Sequence, residues 1–331
     1  MHASIPPQVR SVAERLAGAP VTAIAPAGSG ANSRIFRVET RDGRFALKCY
    51  PDRAGDTRRR SDVEWQTLAF LRAHGIAATP RPLARDEEGR YLLMEWIAGE
   101  PVARHDARDV AAAADFIAAI FSLSGDREAQ HFPPASEACL SVAEIVRQIE
   151  ARLAALAPPP DLQRFISEAI MPVLDERRRA LAAEIAAGKE IAASQKRLIP
   201  ADFGFHNALR VADGSLRYID FDYFGWDDPV KLTADVILHP GMTLTAQDRQ
   251  LFAERMAAAL PDDPDFAARL HRTLPLYAVR WALILLNPFR SDRLAELPAG
   301  EEARATLAMD RLQKATRVIA AVIRPDPRAD R

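Results

Sequence analysis

The chain has 331 residues, 48% of them hydrophobic and 27% charged, with a formal net charge of −1. That length suits two lobes or domains rather than one core, and so small a net charge sets up no general field to draw nucleic acid or an anionic membrane. Two cysteines far apart, Cys49 and Cys139, make no disulfide framework and point to a reducing, cytoplasmic setting.

In chain order, residues 1–20 show no apolar core of signal-peptide length. The segments Arg34–Thr40 and Phe45–Tyr50 alternate around Asp42-Gly43, a hairpin signal. Phe36, Val38, Phe45, Leu47 and Cys49 fall on one face of that hairpin, and Ile35, Ala46 and Lys48 on the other. The basic run Arg58-Arg59-Arg60 reads as a solvated loop or helix start. A helix is expected from about Ser61 to His74, stopped by Gly75, and a strand from Tyr91 to Trp96. Past Gly99-Glu100-Pro101 the character changes. Residues 107–124, 141–157, 161–188, 245–260, 264–285 and 300–323 are Ala- and Leu-rich with helical spacing. The most apolar run, Trp281–Leu286, is too short to cross a membrane and reads as buried helix. An island at 198–229 reads as loop, hairpin, loop. A tail from Arg324 is expected to fray. The shift from β-rich to helical sequence places a boundary near residue 98.

Four features carry chemistry. Gly28-Ser29-Gly30-Ala31-Asn32-Ser33 is a small-residue loop that lets backbone N–H groups approach phosphates. A plain glycine turn has the same composition, so the loop alone decides nothing. It leads into a strand, which excludes a Rossmann dinucleotide site. Lys48 shares its strand face with Ile35 and Ala46, apolar company for a solvent face but fitting for a lysine over a nucleotide pocket. Glu64 shares a helix face with Leu68 and Leu71. A buried glutamate there needs a cationic partner, and Lys48 is the candidate; an exposed glutamate at the stripe edge is the other reading. Changing Lys48 is expected to impair nucleotide use and leave the fold intact.

The fourth feature is Pro200-Ala201-Asp202-Phe203-Gly204-Phe205-His206-Asn207, then a hairpin, then Ile219-Asp220-Phe221-Asp222. A two-residue turn at Asp213-Gly214 sets Asn207 opposite Asp220, with Cβ atoms roughly 5 Å apart. Two oxygen ligands so placed chelate a hard cation such as Mg²⁺. Asp202, on the loop leading into the pair, is positioned to accept a hydroxyl proton.

These residues resemble the aminoglycoside phosphotransferase and choline kinase group, small-molecule kinases on the protein-kinase fold. The resemblance spans about residues 20–290. It rests on Asp202 with Asn207 five residues on, Ile219-Asp220-Phe221, and the stretch from Asp228-Pro229 to Asp235. It implies an α+β, two-lobed fold with a β-rich N-lobe (1–98, hinge at about 95–99) and a mainly helical C-lobe (99–331). It implies Asp202 as catalytic base, Asn207 and Asp220 as metal ligands and Lys48 on the α/β-phosphates with Glu64 as its ion-pair partner. Met94, Glu95 and Ile97 would form the hinge that holds adenine. ATP or another nucleoside triphosphate, and Mg²⁺, are the implied cofactors. The group usually has a histidine two residues before the base, where this chain has Pro200. Gly204 stands where a cation is usual, which leaves His206 as a candidate. Asp222 stands where protein kinases have glycine, and is a candidate for a further metal or acceptor contact, with a polar strand end as the other reading. Asp228 follows Asp220 by eight positions, too few for the peptide-docking segment of a protein kinase. The acceptor is therefore a small hydroxyl-bearing molecule such as a sugar, amino alcohol or aminoglycoside, not a protein. Asp222, Asp227 and Asp228 set against Arg280, Arg290 and Arg293 do not decide which. The alternative is a catalytically inactive nucleotide-binding regulator on the same fold.

Overall fold

The computed structural model describes residues 5–29, 33–50 and 59–323; Gly30, Ala31, Asn32, Arg58 and the tail from Arg324 lie outside them. The chain forms two compact units, one of residues up to Ser136 with Leu198–Trp226, the other of Glu137–Arg197 with Asp227 onward.

The first unit starts with helix α1 (Pro7–Ala17) and a five-stranded antiparallel sheet of β1 (Val21–Ser29), β2 (Arg34–Thr40), β3 (Gly43–Cys49), β4 (Pro82–Arg85) and β5 (Tyr91–Glu95), in the order β1-β2-β3-β5-β4. Helix α2 (Arg60–Ala73) comes between β3 and β4. Ile35 pairs with Lys48 and Phe36 with Leu47, which fixes the two faces as the alternation predicts. Phe36, Val38 and Leu47 enter a core with Val9, Val12 and Ala13 of α1. Each such fully buried side chain contributes about 1.5–3 kcal/mol. The sequence reading has neither α1 nor β1. Their signals are the Val9/Val12/Ala13/Leu16 stripe, closed by Gly18 at φ +64°, and the antiparallel partner of β2.

The unit continues with β6 (Gly99–Pro101) and α3 (Ala107–Ser122), whose cap is reciprocal. Asp106 accepts from the Asp109 N–H, and the Asp109 carboxylate accepts from the Asp106 N–H at 3.0 Å. Phe116 of α3 stacks on Phe203 and on Tyr218, which anchors the loop around residue 203. Short strand β7 (Arg197–Ile199) precedes that loop. Strands β8 (Ala208–Val211) and β9 (Leu216–Tyr218) form a three-stranded sheet with β6, and β10 (Gly225–Asp227) follows.

The β8–β9 register corrects an expectation. Ala208 pairs with Tyr218 and Arg210 with Leu216, and the Ile219 N–H donates to the Asn207 carbonyl. Asn207 therefore faces Ile219, not Asp220. The loop holds three residues, Ala212 to Gly214, closed by a bond from the Val211 N–H to the Ser215 carbonyl, with Gly214 at φ +85°. A left-handed glycine in the third loop position is the usual geometry of such a hairpin.

The second unit is helical: α4 (Val142–Ala155), α5 (Pro160–Phe165), α6 (Met171–Ala180), α7 (Ala182–Ala187), α8 (Pro229–Leu238), α9 (Ala246–Ala258), α10 (Phe266–Leu285) and α11 (Glu301–Ile323). The expected single helix at 161–188 is broken. Pro172 has no N–H and crowds the carbonyl four residues back. The ladder widens there to a π turn over Ile166–Ile170, with the Met171 N–H bonded to the Ile166 carbonyl. Helix α8 escapes periodicity because all ten of its residues are buried, so it shows no stripe. Its start signal is Asp228-Pro229, where the Asp228 carboxylate accepts from the Val230 N–H at 2.9 Å. Among the described residues no helix is long and apolar enough to cross a membrane.

Candidate active site

The face of β2 and β3 opposite the α1 core carries Ile35, Ala46 and Lys48. They line a cleft of about 630 Å³ in the first unit, together with Gly28, Ser33, Glu64, Met94, Glu95, Ile97, His206, Asn207 and Asp220. That volume is in the range of small-molecule sites. Thus most of the residues singled out by sequence meet in one place, although they come from the sheet, from α2 and from the loop before β8. Asp202 and Asp222 are not among the lining residues, and Gly30 and Asn32 lie outside the described ones. Trp96, within the expected hinge stretch, lines the cleft as well, whereas Ala25, Pro26 and Arg37, which also line it, have no place among the site residues of the sequence reading. These three sit on the β1–β2 pairing, so recognising β1 brings them in.

At the inner end of the cleft is a charge cluster. Lys48 Nζ lies 2.5 Å from Glu64 Oε2, 2.6 Å from Asp220 Oδ1 and 3.8 Å from Asp222 Oδ2. Lys48 and Glu64 are almost fully buried. Burial alone lowers a lysine's pKa, but the carboxylates of Glu64, Asp220 and Asp222 outweigh it and hold Lys48 above its ordinary value. Glu64 is tied further by the Tyr50 hydroxyl and by the Phe221 N–H at 3.2 Å. Tyr50, which the sequence reading passes over, also places its ring 5.0 Å beneath the Lys48 ammonium. Burial pushes the Asp222 carboxyl well above the usual range; Lys48 opposes this, while Asp220 and Glu64 add to it.

Oxygens of Glu64, Asp220 and Asp222 lie within 4.8 Å of one another. Asp220 holds its place with φ at +71°, a left-handed backbone uncommon for a residue with a side chain. Such conformations concentrate at functional sites, where the surrounding structure over-determines them. Asp220 reaches the cluster from two positions beyond the end of β9, and not as a cross-strand partner of Asn207.

Asp202 lies on the loop before β8, its side chain 45% exposed. His206 Nε2 is 3.1 Å from Asp202 Oδ1. Asn207 Nδ2 donates to the Asp202 main-chain carbonyl at 3.0 Å, which secures the loop and leaves the Asn207 amide oxygen for another partner. Gly204 has an extended backbone that any residue adopts, and Phe205 stacks on His105. The arrangement combines an accessible carboxylate, a histidine beside it, and a cation set among three carboxylates at the end of an apolar-walled cleft.

Solved structures share this fold across nearly the whole chain. A spectinomycin phosphotransferase in complex with ADP and spectinomycin superposes with a TM-score of 0.65 at 10% identity, covering 96% of this chain and 99% of that one. A choline kinase from Streptococcus pneumoniae gives 0.60 at 13% identity, covering 95% and 99%. An ethanolamine kinase from Plasmodium vivax gives 0.57 at 12% identity, covering 92% and 83%. The fold is thus the protein-kinase-like one. No curated protein sequence matches the chain. The model of the phosphotransferase enzyme family matches residues 23–270, three-quarters of the length, and the chain belongs to that family.

Proposed function

We propose that the chain transfers the γ-phosphate of ATP, or of another nucleoside triphosphate, to a hydroxyl group of a small molecule, with Mg²⁺ as cofactor. The observation that carries this is the buried Lys48–Glu64 pair at the inner end of the cleft, 2.6 Å from Asp220. A buried lysine held in its charged form and fixed in direction by carboxylates suits a triphosphate. Met94, Glu95 and Ile97 line the same cleft and take the adenine as a hinge. Gly28, Ser29 and Ser33 flank the phosphate path. Residues 1–98 then act as the nucleotide lobe and 99–331 as the lobe with the base and acceptor contacts. The free cysteines Cys49 and Cys139 favour a cytoplasmic setting.

The donor set fits a hard divalent cation. Asp220, Asp222 and the amide oxygen of Asn207, which accepts no hydrogen bond among the described residues, are all oxygen ligands, the kind Mg²⁺ prefers. Once bound, Mg²⁺ neutralises phosphate charge. The chain's own residues do the rest. Lys48 holds the phosphates by charge. Asp202 orients the acceptor hydroxyl and takes its proton as the hydroxyl oxygen bonds to the γ-phosphorus and the nucleoside diphosphate leaves. His206, on the same carboxylate, keeps Asp202 turned toward that hydroxyl.

The structural relatives act on acceptors as different as spectinomycin, choline and ethanolamine, so the acceptor does not carry over. Nucleoside diphosphate formation is to be followed with sugars, amino alcohols and aminoglycosides, with and without Mg²⁺. Phosphorylated product from at least one class is expected. Mg²⁺-dependent nucleotide binding with no phosphoryl transfer to any class would favour the inactive regulator.

A further inference from the structure

In the second unit two arginines from different helices, Arg280 buried and Arg152 largely so, converge on one carboxylate oxygen. Arg152 of α4 places Nη2 2.5 Å from Glu137 Oε2, and Arg280 of α10 places Nη2 2.7 Å from the same atom. The Arg152 and Arg280 side chains are 12% and 4% exposed, whereas Glu137 is 49% exposed. The guanidiniums thus form a floor and the carboxylate lies at the opening. Neighbouring cations have their own partners: Lys231 has Asp227 and Asp235, and Arg290 has Asp292. Among the described residues Arg152 pairs with no carboxylate other than Glu137, and its further polar contact is Asn287 Oδ1 at 3.4 Å. Arg280 has Gln148 Oε1 at 3.0 Å and, more distantly, Asp235 Oδ1 at 3.4 Å.

This is an unusual way to build a pair for stability alone. Two like charges share one acceptor. Burial lowers the pKa of Arg152, Glu137 raises it, and the charge of Arg280 lowers it again. Glu137 makes the contact from a left-handed backbone, φ +54°, that side-chain-bearing residues rarely adopt. Its carbonyl is secured by Gln148 Nε2 at 3.2 Å, so the backbone is held while the half-exposed carboxylate is able to swing into water by side-chain rotation. We propose that Arg152 and Arg280 are a receptor for the oxyanion group, carboxylate or phosphate, of a small molecule, and that Glu137 is the intramolecular occupant which that group displaces. Guanidinium forks match both groups in geometry and charge. None of these residues lines the cleft of Lys48, so the site is tested without nucleotide and stands or falls independently of the proposed reaction.

The experiment measures binding of inorganic phosphate and of acetate to wild type, Glu137→Gln and Glu137→Gln/Arg152→Gln. Ionic strength is held constant with chloride, and the readouts are calorimetry and thermal melting. Removing the tethered competitor is expected to tighten binding of at least one of the two anions about 10-fold or more. That anion should raise the melting temperature of Glu137→Gln and leave the double variant unmoved; which anion responds separates phosphate from carboxylate. Unchanged affinity in Glu137→Gln, or equal binding by the double variant, overturns the proposal. Should Glu137→Gln not fold, wild type is compared with Arg152→Gln. A saturable response lost in the variant supports the site, and an equal or absent response in both overturns it.

Discussion

Replacing Lys48 with Met removes the one cation that Glu64, Asp220 and Asp222 share among the described residues. By sequence this lysine looks dispensable for folding. Its position, 2% exposed between carboxylates, says otherwise. Breaking a buried pair from one side costs about 3–5 kcal/mol, because the remaining charge is left desolvated. Glu64 keeps the Tyr50 hydroxyl and the Phe221 N–H, so the lower half of that range is expected. For a unit of this size about 3 kcal/mol lowers the melting temperature by about 6–12 °C. Lys48→Met should therefore lose both turnover and stability in calorimetric and denaturant melts. Adding Glu64→Gln removes the stranded charge, so the double variant should be more stable than the sum of the two single losses by about 1–3 kcal/mol. A Lys48→Met protein that melts within about 2 °C of wild type, or strict additivity in the double variant, refutes the reasoning.

Asp202→Asn should cut turnover by about 10²–10⁴-fold and leave Mg·ATP affinity nearly unchanged, as single-turnover kinetics and calorimetry with an identified acceptor will show; equal losses in both would make Asp202 a ligand or structural residue. Asp220→Asn should abolish the Mg²⁺ dependence of nucleotide binding, and an unaltered Mg²⁺ titration would place the metal elsewhere. Gly225→Ala would set a Cβ 2.3 Å from the Pro133 carbonyl oxygen and 2.7 Å from the Ala135 nitrogen. Backbone must move, and denaturant unfolding should register a loss of about 1–3 kcal/mol. His74 has its pKa raised from 6.5, first by its bond to the Phe70 carbonyl and then by the Asp126 carboxylate. A folded pKa above the unfolded one gives stability that is complete below about pH 6.5 and lost as pH rises through the folded value. His74→Gln should accordingly lower the melting temperature more at pH 5.5 than at pH 8, and equal shifts at both would contradict this.

Local pattern was enough for much of this protein. Alternation around Asp42-Gly43 separated Phe36, Val38 and Leu47 from Ile35, Ala46 and Lys48, because side chains in a strand must alternate between faces and only one face meets a core. The spacing of Glu64, Leu68 and Leu71 put a carboxylate on a buried stripe and so called for Lys48. The amphipathic helices α3, α4, α9, α10 and α11 were legible for the same reason, a stripe facing a core. Where burial is uniform, as in α8, or where Pro172 widens a turn, no stripe or simple period exists to read. The β8–β9 register turned on one extra loop residue and on Gly214 adopting φ +85°, a choice between turn types that the residues from Val211 to Ser215 permit either way. The sequence by itself therefore determined the chemistry available: a lysine, its glutamate, and an Asp/Asn/Asp set on one hairpin. Only tertiary structure decided how these meet. It turned Asp220 through a left-handed backbone onto Lys48, brought the Tyr50 hydroxyl to Glu64, and aimed Arg152 and Arg280 at Glu137. Such contacts join residues from 14 to 172 positions apart, and their geometry follows from how whole elements pack, which no local periodicity encodes.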